Sequence, residues 1–272
     1  MIKERVTATV LMVAACFSVS GCTQDQAPDI AYTMIEEPFG EDGSTVHFAK
    51  EDPFAEEIVS TMTDARETVE AFWGRPFPEP VKAILSPDRA HFNTLFPPEW
   101  GIGKTQCWMV GVGVADFLAV LSPSIWGVED CGHDGEDKLH IRDIFVHELA
   151  HVYHGQNNPT RDFTGAEEIG WFAEGIGVLV AGQLERDKLS SPQEAIRNGA
   201  APKKLKKAWS GQYRYGVSGS IVAYIDAEYG RDVLFELLSV TSEDELLSRL
   251  NTSEAALLDA WESWVLSASS NK

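Results

Sequence analysis

Residues 144–152 read Ile-Phe-Val-His-Glu-Leu-Ala-His-Val, and they are the most informative stretch of the 272-residue chain. His147 and His151 are four residues apart, so on a helix their side chains project from the same face. Two imidazoles at that spacing suit neighbouring ligands of one tetrahedral zinc ion. Glu148 follows the first histidine and can act on a water beside the metal without binding the metal itself. The alternative is a pair of core histidines that hydrogen-bond to the backbone.

The flanks of this motif predict a buried helix over about residues 136–154. The residues around the two histidines are uncharged, and Asp134, Glu136 and Asp137 lie where a helix N-terminus favours negative charge. Buried histidines need partners, and a metal ion satisfies both rings. The flanks therefore favour metal binding over the core-histidine alternative.

A third protein ligand is needed if the zinc is to keep one open position. Glu174 is the best candidate, because a carboxylate inside the apolar stretch 170–175 is costly unless it is paired or metal-bound. Asn157 occupies the position where a third histidine would follow in a metzincin pattern. His154 lies at the end of the same helix and is expected to be exposed there. The alternative for Glu174 is an ion pair with an arginine or a lysine.

The order of the predicted elements argues for an α+β fold. Strand-like patterns come first, and helical patterns dominate from residue 136 onward. The predicted strands are 45–49, 81–85, 108–114 and 117–121. The predicted helices after residue 136 are 136–154, 165–186, 217–229, 231–240, 243–250 and 253–268.

Composition and charge restrict the classes of partner. The chain is 44% hydrophobic and 24% charged, which is typical of a globular protein. Its formal net charge is -20, so nucleic acid is not an expected partner, because phosphate binding needs a basic face.

The N-terminal segment has the features of an export signal. Lys3 and Arg5 precede an apolar stretch, 6–19, that is too short to span a bilayer comfortably. The stretch ends in Val19-Ser20-Gly21-Cys22, which resembles the lipobox of bacterial lipoproteins. The resemblance implies cleavage before Cys22 and attachment of lipid to its thiol. A plain secretory signal and a retained membrane helix are the alternatives.

Cys107 and Cys131 are the cysteines that remain once Cys16 is removed with the signal and Cys22 carries lipid. An even pair in an exported chain predicts a disulfide bond. Two buried free thiols are the alternative. Neither cysteine has the spacing of a structural zinc site.

The zinc motif and its downstream helix resemble one family of enzymes. His147, Glu148 and His151, followed by Trp-Phe-Ala-Glu-Gly at 171–175, resemble the gluzincins, the thermolysin-like zinc peptidases, and among them the peptidase MA-like family. The resemblance covers roughly residues 45–240. One departure is Val178, which stands where such enzymes often carry an acid that supports a histidine. This support is therefore expected from Glu167, Glu168 or a backbone carbonyl.

The resemblance implies a fold and an activity. The fold would be a thermolysin-like domain, with a small N-terminal sheet whose edge strand, residues 117–121, flanks the cleft above a mainly helical C-terminal part. The activity would be that of a zinc metallopeptidase, with one zinc per chain and Glu148 assisting the attack of zinc-bound water on a peptide or protein substrate. Tyr215 is the first candidate for the oxyanion donor, and Tyr213 is the second.

The predicted organisation of the chain has three parts. These are a signal peptide over 1–21, a lipidated acidic tether over 22–42 and a zinc metallopeptidase-like domain over 43–272. The expected location is the bacterial cell envelope, on its periplasmic or extracellular face, with the lipid on Cys22 in the membrane. Two alternatives remain for the function: a non-catalytic envelope lipoprotein that keeps the fold for binding, and a non-peptidase metallohydrolase with the same site.

Overall fold

The computed structural model describes residues 32–100, 102–129, 132–184 and 190–268. Within these ranges the protein is an α+β structure, with a small N-terminal sheet followed by a mostly helical remainder. The strands are β1 (Met34–Pro38), β2 (Thr45–Ala49), β3 (Lys82–Ser86), β4 (Gly111–Val114) and β5 (Phe117–Leu121). The α-helices are α1 (Ile58–Trp73), α2 (Arg89–Thr94), α3 (Pro123–Glu129), α4 (Lys138–Gln156), α5 (Gly170–Val180), α6 (Ser190–Arg197), α7 (Arg214–Tyr229), α8 (Arg231–Glu236), α9 (Glu243–Arg249) and α10 (Glu254–Ala268).

The sheet has the strand order β1-β2-β3-β5-β4. β2, β3 and β5 are parallel neighbours, and the outer strands β1 and β4 each pair antiparallel with the strand beside them. The inner strand β5 is apolar and almost wholly buried, as expected for a strand covered on both faces. The predicted edge strand is therefore wrong: residues 117–121 lie inside the sheet, and β4 is the edge strand.

β1 lies in the segment that was predicted to be a tether. It pairs with β2 over five residue pairs, from Met34 opposite Ala49 to Pro38 opposite Thr45. Its side chains are largely exposed, which is why its sequence, Met-Ile-Glu-Glu-Pro, does not read as a buried strand. Part of the segment that was assigned to the tether, residues 34–38, is thus paired in the sheet.

The central helix of the fold is α4, which packs against β4, α1 and α5. Its N-terminus is capped by Asp137, whose carboxylate accepts hydrogen bonds from the backbone N–H groups of Leu139 and His140. Its apolar residues are buried on several sides, including Phe145, Val146 and Leu149. The predicted burial of this helix is confirmed.

The other helices cover the remaining faces of this core. α5 packs between α4 and α7, and α10 packs against α6 and α7. The sequence patterns did not predict α3 and α6. α3 begins at Pro123, and proline suits the first turn of a helix. No helix in the described ranges combines the length and the apolar composition needed to cross a membrane.

Candidate metal centre

Three side chains from two helices point their ligand atoms at one another. α4 supplies His147 and His151, and α5 supplies Glu174. The Nε2 atoms of the two histidines are 3.1 Å apart. Oε2 of Glu174 lies 3.4 Å from Nε2 of His147 and 3.8 Å from Nε2 of His151. In the parts of the chain that the structure describes, this is the group of His, Cys, Asp or Glu side chains arranged to hold a metal ion.

The arrangement of these atoms fits a zinc ion. Ligands 2.0–2.1 Å from a tetrahedral zinc are separated from one another by about 3.3 Å. The three observed separations, 3.1, 3.4 and 3.8 Å, are close to that value. Two imidazoles and one carboxylate are also a ligand set that catalytic zinc sites use, and it leaves one coordination position open.

The electrostatics of the three side chains suit a cation site. Burial lowers the pKa of His147, but the hydrogen bond and the charge of Glu174 outweigh burial and leave that pKa raised. Burial raises the pKa of Glu174, but His147 and His151 outweigh it and leave that pKa lowered. Burial lowers the pKa of His151 to about 4, which keeps its ring neutral and able to donate a lone pair.

A glutamine contacts His147 at Nδ1, the ring nitrogen that does not point at the other ligand atoms. Oε1 of Gln183 lies 3.4 Å from Nδ1 of His147, and acceptance of the Nδ1 proton leaves the Nε2 lone pair facing the metal position. Sequence reasoning placed this support on Glu167, Glu168 or a backbone carbonyl. Glu167 instead accepts a hydrogen bond from the backbone of Gly165, in an exposed turn. No motif points to Gln183, because it lies beyond the end of α5.

Gly177 allows α5 to approach this ring closely. A Cβ atom at Gly177 would lie 2.7 Å from Cε1 and Nε2 of His147, too close for any side chain. The two helices are therefore in close contact at this glycine. Gly175, two residues earlier, faces α7 instead, near Ser218 and Val222.

Glu148 lies between the metal-ligand group and the edge strand β4. Burial raises the pKa of its carboxyl to about 7, against the lowering effects of His147 and of a hydrogen bond from the backbone of Gly113. A Cβ atom at Gly111 would lie 2.6 Å from Oε1 of Glu148, so a larger residue there would displace this carboxylate. The backbone of β4 therefore approaches the candidate base closely at Gly111 and Gly113.

A pocket of about 390 Å³ opens over these groups. Its lining combines the residues of the metal group, the whole of β4 and the N-terminal end of α7. A pocket of this volume is in the range of small-molecule and peptide sites. Arg214 and Trp108, which sequence reasoning did not assign to the site, also line it.

The structure distinguishes between the two tyrosines that are candidates for the oxyanion donor. Tyr215 lines the pocket, with its ring centroid 6.5 Å from that of His147, and burial raises the pKa of its hydroxyl to about 12. A hydroxyl with that pKa stays protonated and can donate a hydrogen bond. Tyr213 is not among the described residues that line the pocket, and its hydroxyl accepts a hydrogen bond from Asn198.

The expectation for His154 is wrong. Its ring is fully buried and packs edge-on against Phe163 and Phe172 instead of lying exposed at the helix end. Burial lowers its pKa to about 3, and the nearby His151 lowers it further. The prediction failed because α4 continues to Gln156 and the loop that follows folds back over its last turn.

The cysteine predictions fall largely outside the described residues. Cys107 is in a disulfide-bonded state, but Cys131, its predicted partner, is not among the described residues. The pairing of these two cysteines therefore stays a prediction. Cys22 and the whole signal segment 1–21 also lie outside the described residues.

Comparison with protein-family models found no match, and comparison with curated proteins found none. Two solved structures are similar in outline. One is a variant of an M1 zinc metallopeptidase from Deinococcus radiodurans, with 11% identity, a TM-score of 0.47, and coverage of 86% of this chain and 52% of that one. The other is a two-domain M1 zinc metallopeptidase variant bound to L-arginine, with 13% identity, a TM-score of 0.44, and coverage of 86% and 51%.

This chain spans about half the length of the two solved structures that it resembles. At such identities and TM-scores, neither similarity assigns an activity to the chain. The functional argument therefore rests on the geometry of its own residues.

Proposed function

We propose that this protein is a zinc-dependent metallohydrolase of the gluzincin type that cleaves peptide bonds. The observation that carries the proposal is the convergence of His147, His151 and Glu174, with Glu148 beside them in one pocket. His147 and His151 would hold the zinc from α4, and Glu174 would hold it from α5. Bound zinc would supply a Lewis acid that polarises a carbonyl and lowers the pKa of a water to about 7.

Glu148 is the proposed base. Its carboxylate lies in the pocket next to the metal group, within the same buried site as the ligand atoms, where a general base must lie to act on a metal-bound water. In the proposed reaction, one carboxylate oxygen of Glu148 accepts a proton from the attacking water. The same oxygen then returns the proton to the leaving amine, so that the residue ends the cycle as it began.

Two further parts of the pocket suit a peptide. The hydroxyl of Tyr215 stays protonated at neutral pH and would donate a hydrogen bond to the developing oxyanion. The edge strand β4 lines the pocket, and an extended peptide could add to its free edge as a further strand. We therefore propose that the peptide lies along β4 and over α4, the helix that carries the motif, in a thermolysin-like arrangement.

The first test is the activity of the zinc-loaded chain on a panel of peptides and non-peptide amides, together with two variants. We expect Glu148→Gln to keep zinc and to lower kcat by about 10²–10⁴-fold, the range that general acid–base groups contribute. Glu136→Gln changes an exposed glutamate that precedes α4 and serves as the matched control. Unchanged turnover in Glu148→Gln would exclude this glutamate as the base.

Zinc binding without hydrolysis of any substrate in the panel would favour the non-catalytic binding protein. Hydrolysis confined to the non-peptide amides would favour the second alternative, a non-peptidase metallohydrolase with the same site. The peptidase proposal requires cleavage of at least one peptide that depends on Glu148.

Export and lipid attachment form a separate part of the proposal. The sequence Val19-Ser20-Gly21-Cys22 supports cleavage before Cys22 and anchoring in the bacterial cell envelope. Stable anchoring needs more than one acyl chain, because a single chain binds membranes only marginally. The intact mass of the chain produced in a bacterium tests both cleavage before Cys22 and lipid attachment. Cys22→Ser is the variant, and Cys16→Ser is the control. A mass that retains residues 1–21 in the unchanged chain would contradict the lipoprotein assignment.

A further inference from the structure

Arg214 occupies a distinctive position beside the metal group. It is the first residue of α7 and lines the same pocket as His147 and Glu148. Its guanidinium carbon lies 5.3 Å from the ring centroid of Tyr215, whose ring in turn lies edge-on to that of His147. One aromatic ring therefore separates the guanidinium from the metal ligands.

Aromatic rings hold this guanidinium in place. Besides Tyr215, the rings of Trp108 and Trp209 lie with their centroids 5.4 Å from the guanidinium carbon, within the range of cation–π attraction. Trp108 is itself fixed, since its Nε1–H donates to Oε1 of Gln106 at 2.6 Å. One N–H group of Arg214 donates a hydrogen bond to the side chain of Tyr215, and the aromatic faces leave the other N–H groups at its rim able to donate.

No carboxylate of the described residues lies within ion-pair distance of Arg214, although its positive charge helps to lower the pKa of Glu174. Several other arginines of the chain have a direct carboxylate partner. Arg66, Arg89, Arg161 and Arg231 each pair with at least one carboxylate. Arg214 is also the sole arginine or lysine among the described residues that line the pocket. The chain as a whole carries a net charge of -20, so an anionic ligand needs a local cation to approach the pocket.

We infer that Arg214 is a specificity-determining residue that binds a carboxylate of the substrate close to the cleaved bond. The inference rests on the proposed peptidase function, and it adds the class of substrate. The guanidinium would pair with the carboxylate through two parallel hydrogen bonds. Because an extended chain spans about 3.3–3.6 Å per residue, this carboxylate would lie within a few residues of the bond. Its source is either the C-terminal carboxylate of a short peptide or an aspartate or glutamate side chain.

Matched pairs of peptides distinguish these two sources. The first pair differs only in a free or an amidated C-terminus, placed one to three residues after the cleaved bond. The second pair is amidated and carries glutamate or glutamine at the same position, which is scanned on both sides of the bond. The readout is the ratio of kcat/KM for the acidic peptide to kcat/KM for its neutral partner.

We expect a ratio of about 10–100 for one of the two pairs with the unchanged chain, as charge-assisted hydrogen bonds contribute about 1.5–3 kcal/mol. In Arg214→Met the ratio should fall to near unity. A disturbance of the neighbouring Tyr215 would lower both rates of a pair equally and leave the ratio unaffected. Arg75→Met is the matched control, because Arg75 also lies over an aromatic ring, that of Phe235, outside the pocket.

A ratio near unity for both pairs with the unchanged chain would overturn the inference, as would a preference that persists in Arg214→Met. If no peptide is cleaved, the peptidase proposal fails and the inference is tested by binding. Calorimetry would then compare an N-acyl dipeptide with its amide on the zinc-loaded chain. Tighter binding of the free acid that is lost in Arg214→Met supports the carboxylate site without catalysis, and equal binding of the two overturns it.

Discussion

At the scale of single residues, burial has opposite effects on two side chains of α4. Burial raises the pKa of Glu148 to about 7 and lowers the pKa of His154 to about 3, because in each case it favours the neutral form. Glu148 lies at a pocket, where it can exchange a proton with a bound water. His154 is enclosed by aromatic rings and serves packing. Two polar residues six positions apart on one helix thus have different roles.

The buried His154 predicts a dependence of stability on pH. Its folded pKa, about 3, is below the unfolded value of 6.5, so the unfolded chain binds more protons between these values and stability is lost as pH falls. This histidine alone should cost about 2 kcal/mol of unfolding free energy between pH 7 and pH 5. The metal-free chain and His154→Gln should be compared by denaturant unfolding at both pH values. An equal loss of stability in the two proteins would contradict the prediction.

The contact between Gln183 and His147 predicts an effect on metal affinity. Gln183→Leu removes the acceptor for the Nδ1 proton while it keeps the approximate size of the side chain. Loss of such outer partners typically weakens metal binding by about 10–100-fold. Competition with a zinc chelator measures the affinity, and Gln212→Leu, at an exposed position outside the pocket, is the control. Equal affinity in the two variants would show that Gln183 does not support the ligand.

At the scale of elements, the closest contact of the site is between α4 and β4. A Cβ atom at Gly113 would collide with the backbone carbonyl oxygen of Glu148 and would lie 3.2 Å from Cβ of His151. The glycines of β4 thus set the distance between the edge strand and the helix that carries the motif. This distance determines how the pocket is shaped above Glu148.

Gly113→Ala should therefore destabilise the fold. Overpacking of this kind typically costs about 1–3 kcal/mol, because the strand or the helix must shift. Gly103→Ala is the matched control, since a Cβ atom at Gly103 would meet nothing within 4 Å. Denaturant unfolding of both variants measures the difference. The prediction is contradicted if Gly113→Ala is as stable as the control.

The sequence predicted the elements that have strong local patterns. It did not predict features of the sheet that depend on which strands pair. α4 was predicted to within two residues at each end, because its motif, its acidic N-terminus and its apolar flanks agree. β1 was missed, because an exposed outer strand with two adjacent glutamates has no alternation to detect. The edge strand was assigned to β5 instead of β4, because the parallel pairing of β5 with β3 leaves no local signal.

At the scale of the whole molecule, the fold brings together residues that lie far apart in the sequence. Glu174 reaches the two histidines because α5 crosses α4 at Gly177, and Tyr215 and Arg214 reach the same pocket because α7 packs on α5. The sequence could predict Glu174, since a carboxylate in an apolar stretch needs a partner. It gave no comparable signal for Arg214 or Gln183, because each is an ordinary polar residue next to a helix end until the fold places it at the pocket.

The most direct test of the account is the zinc content of the chain, purified without added metal or chelator. We predict about one zinc per chain, the stoichiometry of a mononuclear catalytic site. Binding should be much weaker in His147→Ala and in Glu174→Ala, and unchanged in His47→Ala, which alters an exposed histidine on β2. Absence of zinc even after reconstitution at neutral pH, or binding that survives in both site variants, would contradict the proposed metal centre.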